Sequence, residues 1–253
     1  MNKEDLLFYS AYEDFYAMAQ ESCAFRHFCR DAFGEDFSQD GFSDINQINK
    51  IVPYIPVKEE VHVLDIGCGN GKMLGYLQKK TNAFIHGFDY SEQAIKTAKQ
   101  LYPVESEFRE GIIGEIEYPK ESFDVITSVD TMYFAKDMIA FVGQIKDWLK
   151  ADGVFFVGYQ EGDVMPKTEN VQTTELVKAL IANNLKYEVA DITKETYDLL
   201  KKKREVAMAH KDEFLLEGNV SWFEMLMFQT EYAMQPYEEF SKKMARYIFV
   251  VRK

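Results

Sequence analysis

Two acids and three glycines carry the first legible chemistry of this chain. In the run Val63-Leu64-Asp65-Ile66-Gly67-Cys68-Gly69-Asn70-Gly71-Lys72, an acid precedes a bend with glycine at every second position. Val61, Val63, Leu64 and Ile66 suit a strand covered on both faces. Gly67, Gly69 and Gly71 remove the Cβ atoms where the backbone must turn and lie against a ligand. Met73, Leu74, Tyr76 and Leu77 then recur at helical spacing, and the free N–H groups at that helix start suit an anionic group. The combination predicts a nucleotide or nucleoside site at the C-terminal end of a parallel strand. Residues 83–91 repeat the logic as a short apolar strand ending in Asp89, whose distance from the glycines is close to the ~20 residues expected of an acid that accepts ribose hydroxyls. Ser91 reads as the N-cap of the next helix, with Glu92 in its first turn. Tyr90 either stacks on a base or covers the strand.

The glycine spacing selects among nucleosides. A dinucleotide fingerprint, G-x-G-x-x-G, requires glycine where Lys72 stands, which leaves a nicotinamide-dependent oxidoreductase as the weaker alternative. The pattern here is D-x-G-x-G-x-G, and with VLDIGCGNGKML the chain resembles the class I S-adenosylmethionine-dependent methyltransferases. That resemblance implies that the loop Gly67, Cys68, Gly69 and Gly71 wraps the methionine part of the cofactor while Asp65 helps hold its ammonium end. Related enzymes carry G-D a dozen residues before the S-F-D of strand four; here Gly111-Ile112 stands in that place before Ser122-Phe123-Asp124. Adenine is therefore met either by backbone and apolar surface at Ile112 and Ile113 or by Glu110.

Strand four ends in Thr127-Ser128-Val129-Asp130-Thr131-Met132-Tyr133-Phe134, and its S-x-D is similar to the phosphoethanolamine and sarcosine/dimethylglycine N-methyltransferase branch. An aromatic N-terminal leader and the segment 187–193 point the same way. The resemblance puts Ser128 beside the cofactor, Tyr133 beside the substrate, and Asp130 where it orients an amine or takes its proton; as a bare sequence feature, Asp130 equally suits a helix N-cap. Some phosphoethanolamine enzymes have histidine where this chain has Phe134, so no tyrosine–histidine latch is expected. Tyr159 and Glu161, at the end of strand five, should face the pocket. Tyr9, Tyr12 and Tyr16 form one helical stripe, either core or a lid over the substrate, and aromatic faces among acids suit a cationic amine. Gln39-Asp40-Gly41-Phe42 is placed to reach the methionine end of the cofactor.

The elements that must position these groups follow from periodicity. Helices are expected in a leader at 3–56, with Gly34 a stop and Ser43 an N-cap, and then near 71–80, 92–101, 137–149 and 172–184. Strands are expected near 61–66, 83–89, 104–109, 123–129, 153–159, 186–191 and 246–251, with Gly153 ending the preceding helix and one long helical stretch at 194–244. Strand–helix alternation gives an α/β, Rossmann-like, mostly parallel seven-stranded sheet with helices on both faces, and the resemblance implies the order 3-2-1-4-5-7-6. The division expected is a helical cap at 1–56 and a cofactor-binding core at 57–253 with a helical insertion.

Composition bounds the rest. The 253 residues, 47% hydrophobic, can bury one full α/β core. A net charge of −13 argues against nucleic acid or an anionic membrane as partner. A macromolecule methyltransferase, acting on RNA or protein, is the other alternative, and the sequence shows neither the basic face nor the added recognition domain it would normally carry. The run Lys201-Lys202-Lys203-Arg204 reads as a solvated helix face. Three cysteines suit a reducing cytosol, with Cys68 a small loop residue and Cys23 and Cys29 core thiols. The four histidines show no ligand spacing, so no metal is expected. The predicted activity is methyl transfer to nitrogen or oxygen of a small molecule.

Overall fold

The computed structural model describes Lys3 and residues 6–253. Seven strands form one sheet in the order β3-β2-β1-β4-β5-β7-β6. They are β1 His62–Ile66, β2 Phe84–Asp89, β3 Ser106–Glu110, β4 Phe123–Val129, β5 Leu149–Glu161, β6 Lys186–Asp191 and β7 Ala245–Arg252. The first five run parallel, and β7 enters antiparallel between β5 and β6, as the sequence led us to expect. Pairing of Asp65 with Gly87 and Thr127 sets the ends of β1, β2 and β4 side by side, so their following loops share one rim.

The two faces of the sheet bury different residues of the same strand, the consequence of a period of two. Val63 joins the core beneath α4 (Lys72–Thr81), α5 (Glu92–Leu101) and the leader helices; Leu64 and Ile66 join the core beneath α6 (Met138–Trp148) and α7 (Glu175–Ala182). The leader forms α1 (Tyr9–Glu21), α2 (Cys23–Phe33) and α3 (Ile45–Asn49). Gly34 ends α2 with its N–H on the Arg30 carbonyl, and Ser91 caps α5 by accepting from Ala94 N at 3.1 Å, both as expected. Between 194 and 244 the single expected helical stretch is instead α8 (Thr193–Ala209), α9 (Lys211–Leu216), α10 (Val220–Gln229) and α11 (Tyr237–Lys243), interrupted at His210, Gly218 and Pro236. The insertion and the leader meet, with α2 packed on α8.

Several local expectations change. The N-cap of α3 is Asp44, which accepts from Gln47 N at 2.9 Å, because the Ser43 hydroxyl is taken by Arg246. Gly153 ends no helix: α6 stops at Trp148 and β5 starts immediately, with a register shift where it pairs with β4. Cys23 is exposed, whereas Cys29 and Cys68 are buried. Lys203 breaks the solvated run, being only 2% exposed. Among the described residues, no helix is long and apolar enough to cross a membrane, and no group of three or more His, Cys, Asp or Glu is arranged to hold a metal.

Candidate methyl-donor and acceptor site

Loops at the C-terminal ends of β1 to β4 surround a cavity of about 360 Å³, within the ~300–1,000 Å³ usual for small-molecule sites. Asp65, Gly67, Cys68 and Gly69 line one side, and Asp89, Tyr90, Ile112 and Ile113 line another. Asp130, Tyr133, Tyr12 and Tyr16 close it, with all of Gln39, Asp40, Gly41 and Phe42.

The glycine bend is held from both ends. Gly67 N and Cys68 N donate to the Phe88 carbonyl at 2.9 and 3.0 Å, locking the bend onto β2. Gly69 N donates to Asp89 Oδ2 at 2.9 Å. Gly69 has φ +53°, and a Cβ there would run into the Tyr16 hydroxyl and lie 2.9 Å from its Cζ. A Cβ on Gly67, at φ +70°, would sit 2.6 Å from Thr131 Cγ2. The second constraint has its own brace, since Thr131 Oγ1 donates to the Ile66 carbonyl at 2.7 Å and contacts Ser128 Oγ at 2.6 Å. Gly69→Ala should therefore push Tyr16 aside and weaken S-adenosylhomocysteine binding by roughly tenfold or more, the order of a 1–3 kcal/mol strain. Equilibrium dialysis of the variant checks this, and unchanged affinity would refute the tight fit.

The two acids are buried and poorly solvated. Asp65 accepts from Thr127 Oγ1 at 2.6 Å, yet burial raises its pKa to about 7. Asp89 accepts from Gly69 N and, at 2.9 Å, from Ser91 N, and burial raises its pKa to about 6. Each carboxylate oxygen has a second lone pair, so Asp89 retains capacity for a ligand hydroxyl. Because both folded-state values lie above those of an unfolded chain, the pair favours folding at low pH. That contribution is lost as pH rises through about 6 to 7. A ligand ammonium at Asp65 and ligand hydroxyls at Asp89 are both held more strongly by the ionised carboxylates. Donor-product affinity should accordingly fall roughly tenfold or more from pH 7.5 to 5.5. Thermal melts with and without S-adenosylhomocysteine at the two pH values check it: the shift on binding should be larger at pH 7.5.

The structure gathers most of the residues singled out above, but not all. Tyr159 and Glu161 do not line the cavity. Strand alternation turns the Tyr159 ring into the core with Leu176 and Phe249, and Glu161 is tied to Thr168 N and Oγ1 at 2.9 and 2.8 Å. Ser128 and Gly71 are not wall residues either; Ser128 braces Thr131, and Gly71 opens α4 against Phe108. Tyr9 stands one ring back, 5.6 Å from Tyr90, whose hydroxyl donates to the Leu7 carbonyl. Glu110 pairs with Lys3 at 2.8 Å and does not line the cavity, whereas Ile112 and Ile113 do.

Asp130 is neither a helix N-cap nor an open carboxylate. It sits at φ +58° with both oxygens engaged by Arg246, Nε at 3.0 Å and Nη2 at 2.7 Å. The two parallel N–H donors fix the plane of that carboxylate against the cavity wall. Sequence reasoning missed Arg246, which opens an apolar strand and gives no motif; its only signal is an arginine in a segment otherwise fit for the core. That residue, 1% exposed, also donates to the Phe42 carbonyl, to Gln47 Oε1 at 2.6 Å and to Ser43 Oγ at 2.6 Å.

Fold and site thus define an α/β protein with a cavity at the rim of a seven-stranded sheet. Comparison with known proteins narrows this. The family described as "Methyltransferase domain" matches residues 57–213. Sterol 24-C-methyltransferase of Neurospora crassa is 28% identical over 156 residues, 59% of this chain and 40% of that protein. Phosphoethanolamine N-methyltransferase 1 of Arabidopsis thaliana is 30% identical over 150 residues, 58% of this chain and 30% of that protein. The chain thus spans well under half the length of these two relatives. A solved structure of Haemonchus contortus phosphoethanolamine N-methyltransferase 2, with phosphomonomethylethanolamine and S-adenosylhomocysteine, shares the fold at TM-score 0.75. It is 18% identical, with 95% of this chain and 59% of that one covered. The chain belongs to the S-adenosylmethionine-dependent methyltransferase family. S-adenosylmethionine is the cofactor of that family, and the residues present fit it: a bend with no room for a Cβ at Gly67 or Gly69, two buried acids, and Ile112 and Ile113 on the cavity wall.

Proposed function

We propose that this protein methylates a nitrogen or oxygen of a small molecule inside a chamber lidded by the leader helices and the insertion. The observation that carries the reading is one continuous cavity in which the glycine bend and Asp89 face an aromatic wall of Tyr12, Tyr16, Phe42 and Tyr133. In this reading Gly67 to Gly69 and Asp65 hold the methionine part of the donor. Asp89 takes the ribose hydroxyls, and Tyr90, Ile112 and Ile113 flank the base. The donor supplies a methyl group already activated on a sulfonium, so the protein's task is alignment and exclusion of water, worth on the order of 7–11 kcal/mol when geometry is good.

The acceptor end supports an amine. Its rings offer faces for a cation, worth ~0.5–2 kcal/mol each. Asp40 adds a carboxylate whose hydrogen bonds come from the neutral amide of Gln229, at 2.9 and 3.1 Å. Asp130, held in place by Arg246, orients the wall. Isothermal titration with S-adenosylmethionine and S-adenosylhomocysteine tests the donor half, and absence of binding at millimolar concentration would end the proposal. Incubation with radiolabelled donor and a panel of small amines, alcohols and phenols tests the acceptor half. Label found only in macromolecules would overturn it.

A further inference from the structure

The segment 38–43 supplies one wall of the cavity through Gln39, Asp40, Gly41 and Phe42, and it makes no backbone–backbone hydrogen bond among the described residues. Four of its carbonyls accept from side chains instead. Asn70 Nδ2 donates to the Ser38 carbonyl at 2.9 Å, Gln39 Nε2 to Ser43 at 3.1 Å, and Arg246 Nη1 to Phe42. The Gly41 carbonyl is held by Lys203 Nζ at 3.2 Å, from helix α8 of the insertion. That ammonium is buried and stands between two rings, 5.5 Å from the centre of Phe33 and 5.4 Å from that of Phe42.

Burying an ammonium is costly unless the site compensates it, and one carbonyl with two ring faces is a modest compensation. Burial lowers its pKa, opposed in part by Asp40. A methionine would fill the same volume without that cost, so packing alone does not explain a lysine here. What the ammonium adds is a directed grip on a loop that has no ladder of its own.

We infer that Lys203 is a positioning residue for the acceptor wall: from beneath, it clamps the Gly41 carbonyl and the Phe42 ring and so fixes the 39–42 segment against the cavity. The inference rests on the acceptor chamber proposed above, because the segment's function is taken from that reading. It links the insertion to the chamber through one side chain, whose contacts are with Gly41, Phe33 and Phe42 and not with the glycine bend or Asp89.

The test is limited chymotryptic cleavage at Phe42 of the full chain under native conditions, mapped by mass spectrometry. Lys203→Met should be nicked there at least tenfold faster than the wild type. Lys203→Arg, which keeps a cation between the rings, should stay within about threefold. Both should bind S-adenosylhomocysteine within about threefold of the wild type. Equal cleavage of Lys203→Met and wild type, or of Lys203→Met and Lys203→Arg, overturns the assignment. If Lys203→Met loses cooperative melting, Phe33→Leu is read instead, with about threefold faster nicking expected and no change overturning. Failure of the wild type itself to bind S-adenosylhomocysteine would sink the methyltransferase site and leave the cleavage result standing.

Discussion

Arg246→Leu should lower the stability of the protein by about 3–5 kcal/mol, the usual cost of leaving one member of a buried ion pair alone. Asp130 would lose the guanidinium that pairs with it in a site where its side chain is 8% exposed. The Phe42 carbonyl, Gln47 Oε1 and Ser43 Oγ would lose their shared donor at the same time. For a chain of this size that corresponds to roughly 6–20 °C in the melting midpoint. Calorimetry on the ligand-free protein measures it. The double variant Asp130→Leu/Arg246→Leu should recover a large part of the loss, because an apolar pair of similar volume carries no desolvation cost. A single variant that melts within about 2 °C of the wild type would show that the pair adds little, as exposed pairs do.

Asp89→Ala should weaken S-adenosylmethionine binding by roughly 100-fold. Two effects combine: the loss of charge-assisted hydrogen bonds to ribose hydroxyls, at ~1.5–3 kcal/mol each, and the release of Gly69 N from its acceptor. Asp89→Asn separates them. Its amide oxygen can still accept from Gly69 N and keep the bend, while the charge is gone, so an intermediate loss of about tenfold is expected. The ligand-free Asp89→Asn protein should also lose part of its pH dependence of melting between pH 5 and 7, since the pKa of about 6 belongs to this carboxyl. Titration calorimetry on both variants decides the matter. An Asp89→Ala protein that binds within threefold of the wild type would remove Asp89 from the donor site.

The glycine-lined side of the cavity was legible because it is local. Asp65 and the three glycines lie within seven residues on one strand–turn–helix unit, and each residue type answers a backbone requirement of that unit. Asp89 was found the same way, at the end of the next strand. Tyr159 and Glu161 misled because the position of a strand end and the direction of its side chains are separate facts. β5 runs through Glu161, and its alternation turns Tyr159 toward α7. Asp130 misled for another reason: its partner lies 116 residues away and gives no sign of itself in the local sequence.

What the chain's own residues determined is the sheet and its nucleoside rim, since periodicity, caps and glycine spacing act over a few residues at a time. What tertiary structure alone decided is the cavity wall opposite the glycine bend. Lys203 and Arg246 become buried cations only when α8 and β7 pack beneath the 38–43 loop, and the fate of Asp130 depends on that packing. Contacts between segments so far apart in sequence carry no period and no motif, so charge and burial at these positions follow from the fold as a whole.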